Sequence, residues 1–178
     1  MPSAGPGLST ERLFFALWPD DGVRARLADW SREFQARCGG HPTRIGNFHL
    51  TLAFLGAVDP VRMADIVRAA ETIVPRAATL VLDRPGYWKH NRIAWAGASR
   101  LPPALDALVA ALRGALVNSG IAFDSKAFVP HVTLVREARA PLAMPVLAPI
   151  EWHFEDFALA ASVAAERGSR YEIRKSWR

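Results

Sequence analysis

Two histidines in matching settings carry most of the chemical information in this chain. His49-Leu50-Thr51-Leu52 recurs 82 positions later as His131-Val132-Thr133-Leu134. Alternate side chains of an extended strand share a face, so His49 and Thr51 point one way and Leu50 and Leu52 the other, and the second copy repeats the arrangement. Each strand is then half core and half site. Imidazole titrates near neutrality, so of two imidazoles across one cleft one can accept a proton while the other donates. In-line displacement at a phosphodiester needs that pairing, with a base on the attacking water or hydroxyl and an acid on the leaving oxygen opposite. Threonine hydroxyls on the same faces can donate to the non-bridging oxygens as charge builds up. His49, His131, Thr51 and Thr133 are therefore the candidate catalytic set, and the scheme calls for no metal and no cofactor. Metal ligation is the competing use of two histidines, but no adjacent Asp/Glu/His cluster completes a coordination shell.

The elements that must position these groups can be read in chain order. Residues 1–10 form a Pro/Gly/Ser-rich leader, and residues 11–178 a single domain. Arg12 to Trp18 is nearly all apolar and reads as a central strand. Pro19 to Gly22 caps a helix whose stripe is Val23, Leu27, Trp30 and Phe34, ending near Cys38-Gly39-Gly40. The first His-x-Thr strand spans Phe48 to Leu55, with Gly56 closing it. Asp59-Pro60 opens a second helix with Met63, Ile66, Ala70, Ile73 and Val74 inward, stopped at Pro75. Thr79 to Leu82 is a strand broken by Asp83-Arg84-Pro85-Gly86, and Arg92 to Ala96 is its antiparallel neighbour across a turn at Tyr87 to Asn91. A third helix follows Pro102-Pro103, with Leu105, Leu108, Leu112 and Leu116 inward and Gly120 past its end. Phe128 to Val135 is the second His-x-Thr strand, 139–149 a loop, and Phe154 to Ser162 and Arg170 to Trp177 the last strands. The pattern is α+β. Each half has a helix leading into a His-x-Thr strand, which predicts two pseudo-symmetric lobes around a central cleft.

Composition narrows the partner. The 178 residues are 51% hydrophobic, with 22 Lys plus Arg against 17 Asp plus Glu. Only Lys89, Lys126 and Lys175 are lysines, so the excess charge of +5 is arginine, which suits planar contact with phosphate. Cys38 is the sole cysteine, excluding an intrachain disulfide and multi-cysteine metal sites. No signal-like segment or membrane-length apolar run is present, so a soluble cytoplasmic protein is expected; it is expected to act as a monomer. Around the motifs, Arg44 and His41 lie in the loop before the first strand, at the expected cleft rim, where Arg44 can meet an anionic partner. Trp88, beside Tyr87 and His90, offers a surface for base stacking. Phe48 and Phe128 flank the motifs and either line a nucleoside pocket or pack the strands. His153 reads as structural or surface, and Cys38 as inert.

These stretches resemble the two-histidine phosphoesterases, most closely the bacterial and archaeal RNA 2′,3′-cyclic phosphodiesterases, also called 2′–5′ RNA ligases. The resemblance runs through Arg12 to Leu17, Asn47 to Gly56, Trp88 to Trp95, Phe128 to Arg136, Phe157 to Ser162 and Tyr171 to Trp177. It implies a bilobal body that hydrolyses RNA 2′,3′-cyclic phosphate ends, such as those of tRNA fragments, to 2′-phosphates. It also implies the reverse 2′–5′ ligation in vitro. On this resemblance alone, His49 donates to the leaving 3′-oxygen, His131 activates water, Thr51 and Thr133 hold the phosphate, and Arg136 helps bind it. Arg136 is five residues from His131, so simple alternation turns it away from the site, and it reaches phosphate only if the strand ends or bulges near Val135. Two further readings stay open: a phosphodiesterase for 2′–5′ oligonucleotides or small cyclic phosphates, and a non-catalytic RNA-binding module.

Overall fold

The computed structural model describes residues 10–166 and 168–178, so all of the expected leader except Thr10 lies outside the described residues. Strand β1 (Glu11–Leu17) is buried on both faces from Leu13 to Leu17, as its unbroken apolar run requires. It lies between β3 (Leu50–Val58) and β9 (Phe157–Ala164), and β10 (Ser169–Trp177) closes the far side of this first sheet. The second sheet has the order β2 (His41–Pro42), β7 (His131–Arg136), β6 (Ile93–Gly97), β5 (Arg84–Trp88). A separate ribbon pairs β4 (Ala78–Leu82) with β8 (Ile150–Phe154).

The helix boundaries fall at an aspartate cap, at proline and at glycine. Asp20 accepts from the Val23 N–H at 2.8 Å to start α1 (Asp21–Cys38), and Gly39, at φ +61°, ends it. Pro103 opens α3 (Pro103–Asn118), and Gly120 follows it with φ +61°. Asp59 caps a 3₁₀ turn (Pro60–Arg62) that leads into α2 (Met63–Ala70).

The two lobes exchange their helices. The helix before the first motif, α1, packs on β6, β7 and β8, behind the second sheet. The helix before the second motif, α3, packs on β3 and α2, behind the first. Ser31 of α1, buried, donates to the Leu134 carbonyl of β7 at 3.0 Å. Arg113 of α3 reaches the Leu52 carbonyl of β3 at 3.4 Å. One core cluster therefore runs through both lobes, from Leu13 and Leu17 to Leu134 and Trp152.

Several expected boundaries are corrected. Asp83 to Gly86 does not break the chain: β5 starts at Arg84, and Pro85 is tolerated because β5 is an edge strand paired only with β6. Tyr87 and Trp88 accordingly belong to a strand and not to a turn. The strand from Thr79 to Leu82 pairs with β8 and not with β6. Strand β8 itself was not expected, although Ile150, Trp152 and Phe154 alternate as buried positions with exposed Glu151 and His153. Helix α2 stops at Ala70, which leaves Val74 78% exposed. Strand β3 runs past Gly56, whose φ of +73° accompanies a bulge at Leu55.

Trp95 is the packing feature that matters most to the cleft. Its ring lies across the backbones of its neighbours, where a Cβ on Gly86 would come within 2.1 Å of it and one on Gly97 within 2.5 Å. Trp88 leans on Trp95 with ring centroids 5.1 Å apart. Gly86→Ala should therefore displace both indoles, lower stability by about 1–3 kcal/mol as overpacking does, and reduce any activity that depends on Trp88. Thermal unfolding beside wild type checks this, and an unchanged midpoint would show that the ring yields freely.

Candidate functional site

His49 leaves a 3₁₀ turn (Ile45–Asn47) and enters β3. Its Nδ1–H donates to the Asn47 carbonyl at 2.7 Å, which leaves Nε2 as the bare nitrogen of the neutral ring, 3.0 Å from the Thr51 hydroxyl. Phe14 and Tyr171 lie 4.9 Å and 5.0 Å from the ring, and Trp18 stacks on it at 5.5 Å. Burial in this aromatic surround pushes the His49 pKa down to about 4; the Asn47 carbonyl opposes the shift, and the charges of His131 and Arg136 add to it. His131 opens β7 in the same way, with Nδ1–H donating to the Val129 carbonyl at 2.7 Å. The Trp88 ring meets His131 edge-on at 4.6 Å. Burial lowers the His131 pKa as well, with Arg136 contributing. Both rings are thus held in one tautomer by a carbonyl two residues upstream.

Both motif strands break register at the leucine after the threonine. In the β1–β3 pair Ala16 faces Thr51 and Phe15 faces Ala53, so Leu52 is the extra residue. In the β6–β7 pair Trp95 faces Thr133 and Ala94 faces Val135, so Leu134 is extra. After a bulge the alternation resets, and the fifth residue beyond each histidine turns back toward the cleft. Those residues are Phe54 and Arg136, which line one cavity with His49, Thr51, His131 and Thr133. The first lobe thus presents a phenyl ring where the second presents a guanidinium. Arg12 of β1 restores a cation there, its guanidinium 5.4 Å from the Phe54 ring centre.

The remaining expected residues divide. Trp88 lines the cleft, and Phe128 lines an adjoining groove with it. Arg44 lies on a second, outer groove and not beside the imidazoles. Phe48 is only 1% exposed and packs in the core, so it does not line the cleft. His41 contacts Glu137 at 3.4 Å, His153 is exposed on β8, and Cys38 is buried, which raises its pKa. No group of three or more metal-ligating side chains occurs among the described residues, nor is any described helix long and apolar enough to cross a membrane.

Sequence reasoning passed over three neighbours of the site. Asn47 clamps the turn before His49: its amide donates to the Ser169 carbonyl at 2.7 Å and accepts from the Tyr171 N–H at 3.1 Å. Its position two residues before His49 was the available signal. Arg12 and Tyr171 line the cleft from β1 and β10, and only the sheet order brings them there.

Two lobes joined at a pair of His-x-Thr strands, with both imidazoles over one cleft, define a two-histidine phosphoesterase. Comparison with known proteins narrows this. Residues 17–95 match the family described as LigT like Phosphoesterase. The chain is 32% identical to the RNA 2′,3′-cyclic phosphodiesterase of Escherichia coli, covering 94% of this chain and 96% of that one. It is 33% identical to the protein of the same name from Thermus thermophilus, covering 91% and 87%. The crystal structure of E. coli LigT complexed with 3′-AMP superposes with a TM-score of 0.83 at 31% identity, over 94% of this chain and 97% of that one. The chain belongs to the LigT-like phosphoesterase family.

Asn47→Ala removes both bonds that tie the turn to β10 while leaving the backbone carbonyl under His49. Loss of two such bonds should cost about 1–3 kcal/mol of stability. The loosened imidazole should lower kcat roughly 10–100-fold. Steady-state kinetics on the folded variant check this, and a wild-type kcat would show that β3 holds His49 without the clamp.

Proposed function

We propose that the protein hydrolyses RNA 2′,3′-cyclic phosphate ends to 2′-phosphates by acid–base catalysis without a metal. The observation that carries this reading is the pair of bare Nε2 atoms, each fixed by its own backbone carbonyl, on one cleft with Arg136. Names of relatives at about one-third identity over nearly the whole chain point to the same substrate.

In this reading His131 takes a proton from water as it attacks phosphorus. His49 gives a proton to the departing 3′-oxygen, and the 2′-oxygen keeps the phosphate. Thr51 and Thr133 donate to the non-bridging oxygens, and Arg136 balances their charge. The direction of proton flow follows the family resemblance. Burial keeps His49 neutral in the free protein, and a phosphate anion beside Nε2 would raise its pKa and so return the proton that a donor needs. In this reading a monomer acts in the cytoplasm on RNA ends such as those of tRNA fragments, since residues of one chain line the whole cleft.

The decisive assay presents RNA with a 2′,3′-cyclic phosphate end to chelator-treated protein. A 2′-phosphate product is expected; a 3′-phosphate or no turnover would overturn the proposal. His49→Ala and His131→Ala should each lower the rate roughly 10²–10⁴-fold, and near-normal turnover by either would remove that histidine from the mechanism.

The pH dependence carries a sign. Burial favours the neutral rings, so in the free protein the singly protonated pair is populated on the acid side of the ordinary histidine range. Bound phosphate raises both pKa values. The optimum of kcat/KM, which reports the free protein, should therefore lie at lower pH than the optimum of kcat. Parallel profiles measure both, and coincident optima would count against coupling between the anion and the histidines.

A further inference from the structure

The cleft continues in two directions with different chemistry. On one side Trp88, Phe54 and Phe128 present rings, which suits a nucleobase. On the other, a groove of about 1070 Å³ opens beyond the cleft of about 520 Å³. Arg12, Arg136, Ser162 and Tyr171 line both spaces, so the groove begins at the threshold these residues form. Arg44 and Asn47 lie further along it.

The charge of Arg12 and Arg136 at the mouth of this groove is available to a ligand. Its lining contains one carboxylate, Glu137, which contacts His41 at 3.4 Å. Arg12 and Arg136 form no ion pair among the described residues, and Arg12 is held instead over the Phe54 ring at 5.4 Å. The nearest acidic residue in sequence, Glu11, is held by Arg174 at 2.7 Å. Two exposed guanidiniums thus stand at the junction between the reacting centre and a space twice its size.

We propose that the groove entered between Arg12 and Arg136 holds the RNA strand leading to the cyclic end, with Arg12 binding the phosphodiester on the 5′ side of the terminal nucleotide. This rests on the reading that the cleft opens a terminal cyclic phosphate, and it adds a route for the rest of the chain. The reacting phosphate occupies the histidines and Arg136, the terminal base turns to the aromatic side, and the next phosphate meets Arg12. Tyr171, at the same threshold, offers a ring against which the preceding base can stack.

The test compares a 2′,3′-cyclic mononucleotide with a six-nucleotide RNA carrying the same end, using wild type and Arg12→Gln. The substitution should lower kcat/KM on the hexamer at least ten-fold more than on the mononucleotide, mainly through KM. Hexamer binding should also lose about 0.7 from its log–log salt slope, as expected when one single-strand phosphate contact is lost. Equal effects on both substrates, or no effect on the hexamer, would overturn the proposal. Fluorescence anisotropy with a hexamer ending in a 2′-phosphate separates the two readings. If wild type opens neither cyclic substrate, the catalytic reading fails, while weaker binding by Arg12→Gln still supports the groove and equal binding refutes it.

Discussion

A break in strand register follows each His-x-Thr pair, and the site depends on both breaks. In a regular strand the residue five places past a histidine faces away from it. The extra residue at Leu52 or Leu134 resets the alternation, so that Phe54 and Arg136 return to the cleft. In each case a donor from the opposite lobe's helix reaches the carbonyl of the extra residue: Arg113 at Leu52 and Ser31 at Leu134. Without that reset, Arg136 would sit with Val132 and Leu134 against the core, where an unpaired guanidinium is not tolerated.

Helix exchange between the lobes joins the walls of the cleft through one core. Each motif strand is backed by the helix that precedes the other motif, so neither lobe can complete its core alone. The strands that carry the imidazoles touch one another, and both rings line one cavity. A polar residue secures the weakest point. His49 begins at the end of a short 3₁₀ turn, and Asn47 ties that turn to β10 through two backbone contacts.

The aromatic surround of His49 and the charge of Arg136 act on one protonation equilibrium in the same direction. Phe14, Trp18 and Tyr171 exclude water, which disfavours the imidazolium, and Arg136 adds to that effect. A phosphate anion in the cleft would offset both costs at once by pairing with the imidazolium. In a site so arranged the imidazolium is favoured chiefly when an anion lies against the ring.

Much of this was legible in the amino-acid order. The repeated His-x-Thr-Leu determined a pair of half-buried strands because strand side chains alternate, and Asp20, Gly39, Pro103 and Gly120 marked helix ends through the backbone groups that termini leave free. The α+β class followed from the order of those segments. Other features depended on pairing, which local pattern does not encode. Arg84 to Trp88 forms a strand despite Pro85 because its outer edge has no partner, and β4 finds β8 some 70 residues away. The side on which Arg136 emerges was undetermined until β6 imposed a bulge at Leu134. Phe48, two residues from Leu50 in the core, and Arg12, at the cleft, were sorted by tertiary packing alone. An apolar ring or a cation next to a motif is compatible with either face until the neighbouring strand is known.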